Sequence, residues 1–278
     1  MSSIMKPYSL STPKIYILTA LACEAKPLIA ALKLQKTELP CGGHVYINRD
    51  NSVELMITGV GPVKAAVATA RLLRDKLKFR HAYLLNVGIA GGEKPIGACY
   101  CIHKITDADL QKSWYPPFLK KATEGLTTFN APQTNYSEGL IDMEASGIIQ
   151  AALSFITRDQ IYFLKIVSDN PSQTTHTINA SYVSELINDN LATIVEAIDA
   201  LIQKSTQLIE YSVTIDVSPI TDKWHFSHYQ QHQLRDLLTR LAIRIDDFEP
   251  LELLDDAKTS RDVLTTLSAE LDNTIEID

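Results

Sequence analysis

Short β-branched and aromatic runs alternate with segments of helical apolar spacing through the first two hundred residues of the chain. Lys14 to Ala20, Ala82 to Val87 and Gln160 to Val167 have the length and composition of buried strands. Helical spacing is found from Glu24 to Leu34 and again between Met143 and Phe155. Because strands that alternate with helices pack as a sheet covered on both faces, the sequence predicts an α/β fold, a mixed β-sheet sandwiched by helices.

The pattern changes near residue 207. Glu210 to Val217 alternates like an isolated strand, Trp224 to Leu241 has helical spacing, and Asp255 to Leu271 reads as a polar helix. A chain of 278 residues with 45% hydrophobic composition can bury one substantial core and still carry a small extra unit. We therefore predict a main domain over residues 1–206 and a small C-terminal α+β appendage over residues 207–278.

Three stretches between these elements also carry predictions. Gly88 to Gly92 follows a predicted strand and is expected to form a turn that exposes its backbone. Thr106 to Glu138 has no periodicity and is expected to be a long surface loop. Thr177 to Lys204 keeps its apolar spacing throughout and predicts one long helix that closes the main domain.

Composition and charge exclude several classes of function. The net charge of −7 and the pI near 5.5 do not provide the basic field that non-specific nucleic-acid binding requires. No apolar run reaches the roughly 18 residues of a membrane span, and Met1 to Pro13 lacks the order of a signal peptide. Four scattered cysteines agree with a reducing compartment. These features favour a cytoplasmic protein without nucleic-acid or membrane partners.

Three carboxylates stand at the ends of predicted elements. Glu24 lies at a strand-to-helix junction, and Glu144 lies near the start of a helix, where a negative charge suits the helix dipole. Asp169 follows a strand directly, at the position where open α/β sheets bind their ligands. Each carboxylate taken alone is also explained as a cap or a solvated side chain. Their common placement favours one shared site.

The glycine-rich and histidine-containing segments do not indicate a cofactor. The turns at Gly59 to Gly61 and Gly88 to Gly92 match neither the dinucleotide fingerprint nor the P-loop. His225, His228 and His232 share one face of a predicted helix, but they have no obvious thiolate or carboxylate to complete a metal site. A polar helix surface is the favoured interpretation of these histidines, so we predict no metal and no organic cofactor.

Read together, the turns and carboxylates resemble the purine nucleoside phosphorylase and nucleosidase superfamily, most closely the methylthioadenosine/S-adenosylhomocysteine nucleosidases. The resemblance covers roughly residues 14–204 and implies a nucleoside phosphorylase-like fold. Gly88-Ile89-Ala90-Gly91 is also similar to the corresponding turn of futalosine hydrolases. The matching segments are, in order, Ala20 to Leu28, Thr58 to Ala66, Asn86 to Gly92, Asp142 to Ala145 and Ile166 to Asp169.

The resemblance implies a nucleosidase that acts on a purine nucleoside or a 5′-thio-nucleoside such as methylthioadenosine or S-adenosylhomocysteine. By this analogy Asp169 protonates N7 of the base, Glu24 orients or deprotonates the attacking water, and Glu144 takes the ribose hydroxyls. The analogy also implies a homodimer, and residues 207–278 are a candidate contact surface for a protein partner. The implied substrate-binding residues are Gly61, Ile89, Ala90, Gly91, Met143, Glu144 and Ser168.

Two alternatives to hydrolysis stay open. Phosphorylases of this superfamily bind phosphate through arginines and a serine in the early turns, whereas Asn86 and Ile89 occupy the later turn here and no arginine lies near Glu24. Lys165 stands where the nucleosidases have an arginine near the water. Hydrolysis is therefore favoured over phosphorolysis. The second alternative is an inactive nucleoside-binding or regulatory protein on the same scaffold.

Overall fold

The structure, a computed structural model, describes residues 13–39, 43–74, 81–133, 136, 139–172, 179–210, 216–245 and 248–274. The chain divides into two compact units, one formed by residues 12–209 and one that contains residues 210–278. That residues 1–206 and 207–278 act as separate domains stays a prediction.

The described residues of the first unit form ten strands and five α-helices. Its strands are β1 Lys14–Thr19, β2 Gln35–Glu38, β3 His44–Ile47, β4 Val53–Ile57, β5 Ala82–Gly92, β6 Cys99–Asp107, β7 Lys112–Trp114, β8 Thr123–Thr128, β9 Leu140–Asp142 and β10 Ile161–Asp169. Its helices are α1 Ala22–Ala31, α2 Pro62–Leu72, α3 Ala145–Ala152, α4 Ala180–Asp189 and α5 Leu191–Glu210.

The strands form one mixed sheet with β5 at its centre. β5 pairs in parallel with β1 and with β10, and β1 pairs in parallel with β4. β6 is antiparallel to β10, β9 is antiparallel to β5, and β8 pairs in parallel with both β6 and β9. Because β1, β5 and β10 run in the same direction, their C-terminal ends meet at one edge of the sheet.

Both faces of the sheet are covered by helices. Tyr16 and Leu18 of β1 pack in one buried cluster with residues of α2 and α3. Ile15 and Ile17 point to the other face, as the twofold period of a strand requires, and pack with residues of α1, α4 and α5. The predicted mixed sheet sandwiched by helices is thereby confirmed.

The turn predicted over Gly88 to Gly92 is wrong, because β5 continues through these residues. Gly91 pairs with Ile141 and Gly92 with Leu140 of β9, so the backbone of this stretch is engaged in the sheet. A glycine is also needed at position 92, since a Cβ there would lie 2.7 Å from the Leu140 side chain. The glycines therefore mark close packing inside a strand.

The surface loop predicted over Thr106 to Glu138 is also wrong. β6 extends to Asp107, and the segment contains β7 and β8, whose Trp114 and Leu126 are buried. Most residues of β8 are polar and only partly buried, so its sequence lacks the apolar alternation of a strand. Residues 134–135 and 137–138 lie outside the described part of the chain.

The single helix predicted over Thr177 to Lys204 is divided into α4 and α5. Asn190 separates them, and its side-chain amide donates hydrogen bonds to the backbone oxygens of Gly97 and Leu186. The apolar spacing continues across this break, which is why the sequence predicts one helix. Residues 177 and 178 lie outside the described residues.

Helix α1 begins earlier than predicted, and a proline lies inside it. Pro27 has no N–H to donate to the backbone oxygen of Cys23, one turn earlier. The Ser184 hydroxyl of α4 donates to that oxygen at 2.8 Å. A side chain from the neighbouring helix thus replaces the hydrogen bond that the proline removes.

The described residues of the second unit are helical and have their own core. Its helices are α6 Ser218–Thr221, α7 His228–Arg244, α8 Pro250–Leu253 and α9 Ser260–Asn273. Trp224, Leu238, Leu254 and Leu267 are among its buried residues. The helix predicted from Trp224 starts at His228 because Ser227 forms a capping box with Gln230. The strand predicted from Glu210 to Val217 lies mostly outside the described residues, which do not include 211–215. Glu210 itself is the last residue of α5.

Candidate active site

A cavity of about 360 Å³ opens at the C-terminal ends of β1, β5 and β10. Every site residue predicted from the sequence lines this cavity except Gly61, which contacts one of the lining residues. The three predicted carboxylates therefore share one space. The lining residues are Ala20, Leu21, Glu24, Val60, Ile89, Ala90, Gly91, Phe129, Ala131, Pro132, Gln133, Ile141, Asp142, Met143, Glu144, Ser168 and Asp169.

Glu24 is held by the backbone on both of its carboxylate oxygens. Its Oε2 accepts hydrogen bonds from the N–H groups of Ala20 at 2.7 Å and Leu21 at 2.8 Å, and its Oε1 accepts one from Ile89 at 2.9 Å. The side chain is 1% exposed. Glu24 thus joins the ends of β1 and β5 and has a fixed orientation at the cavity wall.

Glu144 is positioned by the close approach of two helices. It precedes α3, and its Oε1 accepts a hydrogen bond of 3.0 Å from the Gly61 N–H at the start of α2. A Cβ at Gly147 of α3 would lie 2.0 Å from the Pro62 backbone oxygen, so only a glycine permits this helix contact. Gly61 has a φ of +107°, which also favours glycine at that position.

An ion pair between Asp142 and Lys165 lies beside these carboxylates. Lys165 Nζ is 2.9 Å from Asp142 Oδ2, and both side chains are almost fully buried. Asp142 also accepts hydrogen bonds from the Thr128 hydroxyl and the Ala145 N–H. A Cβ at Gly88 would lie 3.0 Å from Glu24 Oε1 and 3.5 Å from Lys165 Nζ, so the ammonium group is also close to Glu24.

Burial and mutual charge perturb the ionisation of this cluster. Burial raises the pKa of Glu24, against the effect of its three backbone N–H donors and Lys165. Burial and the neighbouring Asp142 charge raise the pKa of Glu144 to about 7. Burial acts to lower the pKa of Lys165, but Asp142, Glu144 and Glu24 outweigh it and the pKa is raised. Lys165 is therefore positively charged and interacts with several carboxylates at once.

Asp169 also lines the cavity and is held by two hydroxyl groups. The Ser168 hydroxyl donates to Oδ1 at 2.5 Å, and the Tyr136 hydroxyl donates to Oδ2 at 2.5 Å. Position 91 on β5 leaves room for this arrangement, since a Cβ there would lie 2.8 Å from Asp169 Oδ2 and 2.9 Å from Tyr136 Cε1. Each oxygen of the carboxyl group thus has one hydroxyl donor, and the residue lines the cavity.

Several residues of the site were not predicted as site residues from the sequence. Asp142 was noted as part of a motif, but its ion pair with Lys165 depends on the pairing of distant segments. Tyr136, Phe129 and Gln133 lie in the stretch assigned to a surface loop. The one available signal was the concentration of Phe, Pro and Tyr there, since a solvated loop has little need of aromatic residues.

The raised pKa of Glu144 predicts a loss of stability with rising pH. Between about 4.5 and about 7 the unfolded chain is ionised at this position while the folded chain keeps the proton, so folding weakens as the pH rises through this window. Glu144→Gln should remove this pH dependence. The difference in free energy of unfolding between Glu144→Gln and wild type should therefore shift in favour of the variant between pH 4.5 and pH 8, by about 3 kcal/mol at most. Urea unfolding measured across this range tests the prediction. Glu38→Gln, on the exposed strand β2, is the control. If wild type and Glu144→Gln show the same dependence of stability on pH, the prediction is wrong.

Within the described residues, no group of three or more His, Cys, Asp or Glu side chains has the arrangement of a metal site. His228 and His232 lie one turn apart on α7, with ring centroids 5.3 Å from each other. The cavity is lined by carboxyl groups and the Ser168 side chain, and the buried Lys165–Asp142 ion pair lies beside them.

Comparison with known proteins identifies the family. The profile of the family described as purine nucleoside permease (NUP) matches residues 12–156, more than half of the 278 residues. The chain belongs to the purine nucleoside permease family. The match includes Glu24, both glycine-containing segments and Glu144, and it ends before Asp169. In the described parts of this NUP chain, no helix combines the length and apolarity that crossing a bilayer requires.

Solved structures show the fold of this NUP chain. The 5′-methylthioadenosine/S-adenosylhomocysteine nucleosidase of Campylobacter jejuni has a TM-score of 0.54 at 16% identity, over 70% of this chain and 99% of that one. The corresponding nucleosidase of Colwellia psychrerythraea, in complex with adenine, has a TM-score of 0.54 at 20% identity, over 71% and 96%. The 5′-methylthioadenosine nucleosidase of Arabidopsis thaliana has a TM-score of 0.52 at 19% identity, over 72% and 97%. A search of curated proteins found no significant match. The fold is that of the nucleoside phosphorylases and nucleosidases.

Proposed function

We propose that the protein is an N-ribosyl hydrolase that cleaves the glycosidic bond of a purine nucleoside or of a 5′-thio-nucleoside such as methylthioadenosine or S-adenosylhomocysteine. The observation that carries the proposal is that Glu24, Glu144 and Asp169 line one cavity at the carboxyl ends of parallel strands. Relatives of this fold are named as nucleosidases, and one of them is in complex with adenine.

The proposed reaction assigns one task to each carboxyl group. As the C1′–N9 bond breaks, its electron pair moves to the base, and Asp169 transfers its proton to N7. Water adds to the positively charged C1′ and gives its proton to Glu24. Glu144, whose pKa is raised to about 7, accepts hydrogen bonds from the ribose hydroxyls in its ionised form. The products are the free base and the free sugar.

Water is favoured over phosphate as the attacking group because of the charges at the cavity wall. None of the described lining residues is an arginine or a lysine. Lys165 is close to Glu24 but forms an ion pair with Asp142. A phosphate dianion would face the acidic side chains of the lining and would lack the charge-assisted donors that hold such ions.

Release of free base from a panel of purine nucleosides and 5′-thio-nucleosides tests the proposal. Wild type in phosphate-free buffer should exceed Asp169→Asn by about 100-fold or more on its best substrate, because the amide has no acidic proton to give. Added phosphate should not increase the rate. If wild type is no faster than Asp169→Asn on every nucleoside, the protein is not a nucleosidase.

Nucleoside binding without cleavage is the second candidate, and the description of the family as a permease favours it. The same cavity would then hold a nucleoside whose bond stays intact. An increase in thermal stability with adenosine or adenine, without base release by wild type, would support this candidate over hydrolysis.

The cellular context forms part of the proposal. A cytoplasmic location agrees with the free thiols of Cys23, Cys99 and Cys101. A homodimer is proposed by analogy with the nucleosidases, and residues 207–278 are proposed as a contact surface for a protein partner.

A further inference from the structure

Tyr136 is a buried tyrosine whose hydroxyl group has a carboxylate partner. It lies in the segment before β9 and is 7% exposed. Its hydroxyl donates to Asp169 Oδ2 at 2.5 Å, while Ser168 donates to Oδ1 at the same distance. Ser168 and Asp169 both line the cavity. Oδ2 is held by Tyr136 beside Gly91.

We propose that Tyr136 is a positioning residue for Asp169, which holds Oδ2 and stabilises the carboxylate that forms when Asp169 gives its proton to the leaving base. The inference rests on the proposed nucleosidase function, in which Asp169 is the acid. It adds Tyr136 as the residue that supports this acid. The O–H bond of Asp169 breaks, the N7–H bond forms, and the negative charge left on the carboxylate is shared with the Tyr136 hydroxyl.

The energetic reason is that the hydrogen bond strengthens during the reaction. A hydroxyl donates weakly to a neutral carboxyl group and much more strongly to a carboxylate. An interaction that grows as charge develops lowers the barrier and raises kcat, whereas one of constant strength acts only on binding. Tyr136 is suited to this task because burial keeps water from competing for the same oxygen.

The titratable groups around Asp169 come from several elements. Tyr136 faces it from the segment before β9, and Tyr182 faces it from α4, where burial and the Asp169 charge raise the pKa of the phenol. Glu24 of α1 and Glu144 before α3 line the same cavity. The Tyr182 hydroxyl donates to the backbone oxygen of Ser168 at 3.0 Å, a partner that does not titrate.

The test is Tyr136→Phe, which removes the hydroxyl and keeps the ring. We expect kcat for base release to fall by about 10- to 100-fold with KM near the wild-type value. Tyr182→Phe is the matched control, because the Tyr182 hydroxyl donates to a backbone oxygen, and it should leave kcat near the wild-type value.

A second variant preserves both ring and hydroxyl. Site-specific replacement of Tyr136 by 3-fluorotyrosine gives a stronger donor, so kcat should stay at or above the wild-type value. Thermal unfolding of each variant shows that it is folded. If Tyr136→Phe does not fold, the fluorinated protein decides the matter, since a fall in its kcat would contradict the role of Tyr136.

The outcomes separate this inference from the function on which it rests. Wild type no faster than Asp169→Asn on every nucleoside would overturn both. An active wild type whose kcat is unchanged in Tyr136→Phe would overturn the role of Tyr136 alone. A rise in KM at constant kcat would also overturn it, since Tyr136 would then only shape the base pocket.

Discussion

Replacement of Lys165 by methionine is expected to lower the free energy of unfolding by about 3 to 5 kcal/mol at pH 8. The ammonium group is buried against Asp142, and its removal leaves Asp142, Glu144 and Glu24 without their shared cation. At pH 5 the loss should be smaller, because Glu144, with a pKa of about 7, is already protonated there and carries no charge for Lys165 to balance. Urea unfolding at the two pH values measures both quantities.

Two further variants separate this effect from loss of packing. Asp142→Asn/Lys165→Met leaves neither member of the pair charged and should be more stable at pH 8 than Lys165→Met alone. Lys121→Met breaks a Lys–Glu contact of 2.6 Å whose glutamate, Glu196, is 72% exposed, and should cost about 1 kcal/mol or less. A Lys165→Met variant no less stable than Lys121→Met would show that the buried pair does not hold the cluster together.

Glu24→Gln is expected to reduce base release by about 100- to 10,000-fold, because the amide cannot accept the proton of the attacking water. The substitution also disturbs a saturated set of hydrogen bonds. If the amide oxygen faces the N–H groups of Ala20 and Leu21, its NH2 group faces the N–H of Ile89, which then has no acceptor. An unsatisfied buried donor of this kind costs about 1 to 3 kcal/mol of stability.

The two effects of Glu24→Gln are measured independently. Single-turnover base release reports the chemical step, and urea unfolding reports the lost hydrogen bond. Glu38→Gln changes an exposed glutamate of β2 in the same way and should alter neither quantity. A Glu24→Gln protein that is folded and releases base within a few-fold of the wild-type rate would exclude Glu24 as the base of the reaction.

The residues of the cavity could be predicted from the sequence where they follow strongly apolar strands. β1 and β10 are buried over almost their whole length, so their ends were visible as the points where apolar composition stops. Asp169 is the last residue of β10, Glu24 lies in the first turn of the helix that follows β1, and Glu144 stands before a helix with clear apolar spacing. The positions of these carboxylates follow from the period and length of the elements that carry them.

The strands and contacts that the sequence does not predict lack such a signal for physical reasons. All the residues of β2 are exposed, so nothing in its sequence distinguishes it from a loop. β8 is held by pairing with β6 and β9, and its polar residues acquire strand structure only from those neighbours. Tyr136 contacts Asp169 across 33 positions of sequence, a pairing that no local pattern reports. Contacts of this kind depend on tertiary structure alone.

The glycines of β5 have a consequence for how this protein can change over evolution. At positions 88 and 91 the space that a methyl group would fill is taken by Glu24 and Lys165 on one side and by Asp169 and Tyr136 on the other. A larger residue at either position would displace the acidic groups, and this effect would precede any change in the shape of the cavity. Divergence in ligand preference is therefore expected to arise from the other lining residues, such as Phe129, Pro132 and Gln133, while the two glycines stay fixed.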